Sequence, residues 1–126
     1  MKKSTYADPQ YATCLGEMMT SKEETLLAMF ADTSPQFHTL TLEVLFGQVW
    51  ADPSLSQRDR SLITVAALVA LNRTEQLPGH LQRARNNGLS APELSAVMTH
   101  LAFYAGWPTA ASALERLAET ESSRDC

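Results

Sequence analysis

From Ser61 to Leu71 the chain reads Ser-Leu-Ile-Thr-Val-Ala-Ala-Leu-Val-Ala-Leu, apolar at almost every position. Wound into a helix, this segment presents apolar side chains on all sides, so other helices must surround it. It is too short for a bilayer, which takes about 20 residues, and the surroundings are therefore protein. Ser56 is a natural N-cap with Asp59 three residues on, which predicts a helix start at Gln57. The charged opening Arg58-Asp59-Arg60 then lies at the edge of a core.

Helix formers dominate the rest of the chain and runs of β-branched residues are nearly absent, which predicts an all-α fold of six or seven helices. The 126 residues, 44% of them hydrophobic, match one domain, and no Gly/Ser-rich or Pro-rich linker divides them. Asp8-Pro9 predicts a first helix over about 9–20, and Ser21 with Glu23 and Glu24 a second. Ser34-Pro35 opens a third, carrying Phe37, Leu40, Val44 and Leu45 and ending near Val49-Trp50. After the central helix, Thr74 can cap a helix bearing Leu77, Leu81 and Ala84, closed by Gly88. Ser90-Ala91-Pro92-Glu93 is a capping box, Gly106 ends that helix, and Trp107-Pro108 opens the last. The tail from Glu119 to Cys126 is polar enough to fray.

A formal charge of −4 and ten dispersed Lys and Arg leave no basic stripe for nucleic acid. The two cysteines, Cys14 and Cys126, are far apart, and no signal-type apolar run follows the N-terminal lysines, which predicts a cytoplasmic, reduced protein. A phosphate loop, a dinucleotide glycine fingerprint, an HExxH pair and a zinc-type or redox cysteine pair are all missing, which favours a site without metal or cofactor.

Three constellations could carry chemistry. Arg73, Gln76 and His80 would line one helix face or its entry turn: an imidazole that moves a proton, a guanidinium that grips a carboxylate, an amide that donates to a carbonyl. The plain structural alternative has His80 capping or packing at the surface. Arg58 and Arg60 point in opposite directions, so one can face a cavity while the other is solvated, or each can form a surface ion pair. His100 and Tyr104, four apart, fit a pocket, a subunit interface or a satisfied buried histidine.

Taken together, Phe46-Gly47-Gln48-Val49-Trp50, Arg58-Asp59-Arg60-Ser61-Leu62-Ile63-Thr64, His80-Leu81, Asn86-Asn87-Gly88-Leu89-Ser90 and Tyr104-Ala105-Gly106-Trp107-Pro108 resemble, in order and spacing, the carboxymuconolactone decarboxylase family over about 37–117. The resemblance implies an all-helical AhpD-like bundle, a homo-oligomer such as a trimer of dimers (a hexamer), no cofactor, and decarboxylation of a small carboxylated lactone in aromatic-compound breakdown. His80 matches the histidine of the family's alkylhydroperoxidase branch, whose two cysteines are here Arg73 and Gln76, so dithiol peroxidase chemistry is excluded there. The decarboxylase branch often has glutamate at the position of Gln76. On this resemblance His80 and Gln76 are the catalytic candidates, and Arg58, Arg60, Arg73, Trp50, Tyr104 and Trp107 the substrate-binding ones. A non-catalytic ligand-binding or scaffold oligomer of the same fold is the alternative.

Overall fold

Serine caps start three of the described helices where the sequence predicts them. The computed structural model describes residues 21–124, and among these every regular element is helical, with no strand. The helix expected over 9–20, together with Cys14 and Cys126, lies outside the described residues. The described chain forms two compact units that divide between Leu55 and Ser56. None of its helices is long and apolar enough to cross a membrane.

In the first unit, α1 (Ser21–Thr33) has Glu23 and Glu24 in its first turn, where the helix dipole favours acidic groups. Ser34 then caps α2 (Pro35–Leu40), its hydroxyl accepting from the Phe37 amide at 3.3 Å. The helix predicted to run on to Trp50 loosens at Thr41 into a π-helical segment, Thr41–Val49, closed by the Trp50 amide donating to the Leu45 carbonyl at 2.8 Å. The Trp50 ring is buried beside Phe46, with centroids 6.2 Å apart. Phe37, Leu40, Val44, Leu45 and Val49 remain exposed.

The second unit holds α3 (Gln57–Ala70), α4 (Leu77–Asn86), α5 (Ala91–Ala105) and α6 (Trp107–Arg124). Ser56 caps α3 by accepting from the Asp59 amide at 3.0 Å, and Ser90 with Glu93 completes the capping box of α5. Its core joins Val65 and Val69 of α3, Leu77, Leu81 and Ala84 of α4, Leu89, Leu94 and Met98 of α5's approach and body, and Ala113 and Leu117 of α6. The full enclosure expected for α3 is not reached. Val65 is 0% exposed, but Ile63 is 54% and Leu71 66%, and Ala67 and Ala70 are exposed with them. Helices α4, α5 and α6 pack against α3 and cannot reach around its far side.

Past Glu119, where the polar composition predicts fraying, α6 continues through Arg124. Thr120 is buried, and Glu121 accepts from Arg85 Nε at 2.8 Å, which ties the last turns to α4.

Two substitutions test this account by urea unfolding. Leu81→Ala, at a site 0% exposed, should lose about 2–5 kcal/mol through the cavity it leaves. Ser90→Ala, which removes one capping bond, should lose only about 1 kcal/mol.

Candidate active site

Helix α4 is short, and its start is set by Pro78. A start capped by Thr74 would put Pro78 at the fourth helical position, where the missing N–H would break the ladder. The helix begins instead at Leu77, with Pro78 at its second position and Gln76 as an N-cap that makes no side-chain bond. Before it the chain turns through Asn72, in the left-handed region at φ 58°, and the Arg73 amide reaches the Leu68 carbonyl at 2.8 Å. Arg73 and Gln76 therefore lie exposed in the entry turn, and of the predicted trio only His80 stands within the helix.

Leu77, Leu81 and Ala84 bury the core side of α4. Beside that stripe run His80, Arg83 and Asn87, spaced three and four apart. Asn87 Nδ2 donates to the buried Ser61 hydroxyl at 2.9 Å, which fixes the end of this stripe against α3. Arg83 is only 2% exposed, and its Nη1 sits 3.4 Å from Nδ1 of the half-buried His80. Burial, and then the charge of Arg83, hold the imidazole down at about 4, so it is neutral at physiological pH. Arg83 went unnoticed in the sequence because buried arginines are rare; its signal was its place three residues after His80.

Of the two arginines at the start of α3, Arg58 reaches a groove, whereas Arg60 is not the solvated counterpart that their spacing allows. Arg58 pairs with Glu93 of α5, and that carboxyl is held below the usual range by hydrogen bonds from the Ser90 backbone and hydroxyl and then by Arg58. The pair lies at the side of a groove of about 460 Å³ between α3 and α5, with Leu62, Ala66, Val97 and Leu101 as apolar walls. His80 is not among the groove's lining residues, whereas His100 is. His100 is exposed, not buried, and stacks on Tyr104 with centroids 4.9 Å apart. Arg60 is half-buried. Trp107 is 69% exposed at the corner between α5 and α6, edge-on to Phe103, while Trp50 belongs to the first unit. The second unit thus carries two separate groupings, His80 with Arg83 and Arg58 with Glu93 and His100. Among the described residues no cluster of His, Cys, Asp or Glu is arranged to hold a metal ion.

The sequence model of the carboxymuconolactone decarboxylase family matches residues 35–119. A 4-carboxymuconolactone decarboxylase of Acinetobacter baylyi is 35% identical over 88 residues, 70% of this chain and 66% of that protein. A nitrosuccinic acid decarboxylase of Metarhizium robertsii is 32% identical over 75 residues, 60% of this chain and 52% of that one. The chain thus spans between half and two thirds of the relatives' lengths.

The neutral His80 makes stability depend on pH with a definite sign. The unfolded imidazole takes up a proton near 6.5 and the folded one only near 4. Its contribution is therefore complete above about 6.5 and is lost as pH falls toward 4. Urea unfolding should show a loss of up to about 2 kcal/mol between pH 7 and 5. His80→Asn should remove that part of the slope, and an unchanged slope would place the imidazole in solvent.

Proposed function

Because the chain belongs to the carboxymuconolactone decarboxylase family, we propose that it removes CO2 from a small carboxylated lactone of the 4-carboxymuconolactone type, with His80 and Gln76 at the reacting centre. What carries this reading is that the matched stretch includes His80, and that His80 is a half-buried imidazole kept neutral beside Arg83. Both named relatives are decarboxylases, which favours the same class of reaction here.

The chemistry asks little beyond positioning. The bond from ring carbon to carboxylate breaks, CO2 departs, and the electron pair spreads through the unsaturated lactone onto its carbonyl oxygen. A proton taken up from solvent water onto carbon completes the reaction. The substrate's own carbonyl is the electron sink, so no cofactor is required. Donors at the oxygen lower the barrier most, because charge develops there. Gln76 and Arg73, exposed in the turn leading into α4, are suited to donate to that oxygen and to grip a carboxylate. Arg58, beside Glu93 in the α3–α5 groove, is a further carboxylate binder of the second unit.

The purified protein should consume 4-carboxymuconolactone, followed by its ultraviolet absorbance, and no turnover at high enzyme concentration would remove that substrate. His80→Ala should lower kcat by about 10²–10⁴ with a smaller change in KM. The sequence alone places the controlling titration near neutral pH. The low value held by His80 moves it, so kcat/KM should stay level from neutral pH to about 5 and fall toward 4 as the imidazole protonates.

Homo-oligomeric assembly belongs to the same proposal. From Leu94 to Leu114 there is no Asp, Glu, Lys or Arg, yet Phe103, Tyr104 and Trp107 in this run are 77%, 79% and 69% exposed. These three rings offer roughly 450 Å², over half of the ~800 Å² that a stable interface takes from each partner. Being neutral, the face can meet its own copy without repulsion although the chain carries −4. Light scattering should find an oligomer at micromolar concentration that Trp107→Glu weakens, and a wild-type monomer would sink this part.

A further inference from the structure

Resting on the reading of His80 as a group of the reacting centre, the geometry points to Arg83 as its positioning residue: by donating to Nδ1 it fixes His80 as the Nε2–H tautomer, so that the imidazole meets substrate as a neutral hydrogen-bond donor. The argument begins with what a guanidinium can do. It has five N–H donors, no acceptor, and does not deprotonate in proteins. The 3.4 Å approach of Arg83 Nη1 to His80 Nδ1 is therefore favourable in one sense only, with the lone pair on Nδ1 and the N–H on arginine. A neutral imidazole has a single N–H, and with Nδ1 accepting, that proton sits on Nε2.

Arg83 is held to this task by its surroundings. It is 2% exposed, while Leu81 and Ala84 on either side of it in sequence are 0% exposed and anchored in the core. One helical turn carries both partners, so their spacing is set by α4 itself and not by a mobile loop. Among the described residues no second hydrogen bond to the His80 ring is formed, which leaves Nε2–H for a ligand.

The tautomer decides what the histidine contributes. An imidazolium would arrive as a proton source. A neutral Nε2–H ring supplies a fixed dipole to an acceptor oxygen that gains charge as CO2 leaves, without itself changing charge. The group recognised is an enolate-type oxygen on a carboxylated substrate, and Arg83 acts through His80 without touching that substrate.

The test reads the protein without substrate, so its outcome is separate from whether the lactone is turned over. Protein labelled with ¹⁵N in its three histidine rings is examined by long-range proton–nitrogen correlation at pH 7, with the His80 signals assigned by their loss in His80→Asn. The expected spectrum has the proton on Nε2 and the lone pair on Nδ1. A proton on Nδ1, or a doubly protonated ring, would overturn the proposal. Arg83→Met removes the donor while keeping an apolar chain in the core, and Arg83→Lys restores a donor-only group. The first should release the tautomer into a mixture, raise the imidazole pKa, and lower kcat roughly 10- to 10³-fold with KM changed far less, as expected when a tautomer-setting partner is lost. The second should recover the Nε2–H form. An Arg83→Met protein that keeps both the pure tautomer and wild-type kcat would count decisively against Arg83, and should that variant not fold, the wild-type spectrum and Arg83→Lys still decide.

Discussion

The packing of Leu77, Leu81 and Ala84 against α3 and α6 is the contact on which the candidate site depends. These residues leave α4 a single way to rest on the core, and that rotation carries His80 and Arg83 to the adjoining stripe, where both are partly or wholly withdrawn from water. Moving a cation and an imidazole out of solvent is unfavourable for each of them. The core stripe supplies the offsetting apolar burial, and the Asn87–Ser61 and Arg85–Glu121 bonds hold the C-terminal end of α4 from both sides. The electrostatic state of His80 is in this sense set by three aliphatic residues of the core.

How much of this was legible in the sequence depends on whether the deciding force was local. Caps and breakers act within a few residues, and Ser34, Ser56, Ser90, Gly88 and Gly106 were all read at their observed places. Where two local signals competed, the weaker one misled: Thr74 looked like a cap, but Pro78 tolerates only an early helical position and the start moved to Leu77. The π-helical turn at Thr41–Val49 had no local signature at all. Composition predicted fraying after Glu119, whereas a long-range pair with Arg85 accompanies the helix to Arg124.

The candidate site divides along the same line. His80 could be picked out from its chemical type and family likeness, but its electrostatic state could not, since burial and the nearness of Arg83 are products of the fold. Arg58 was weighed as either a cavity group or a surface ion pair, and it is both, lining the groove while bonded to Glu93. Nothing in the spacing of residues 58 and 93 announces that meeting. Of the two placements open to Arg73 and Gln76 in the sequence, a helix face or its entry turn, the later helix start leaves the entry turn.

The shortness of α4 has a consequence for how the protein is made. Ten residues with no side-chain cap fall below the roughly 12–15 at which an isolated helix begins to hold in water. In the nascent chain this segment has little order of its own until α3 and α6 are there to receive it, and α6 is synthesised after it. His80 and Arg83 are therefore withdrawn from water together, when α4 docks on these two helices. The low imidazole pKa of His80 belongs to the docked helix alone, so its appearance during refolding would report the seating of α4 on its neighbours.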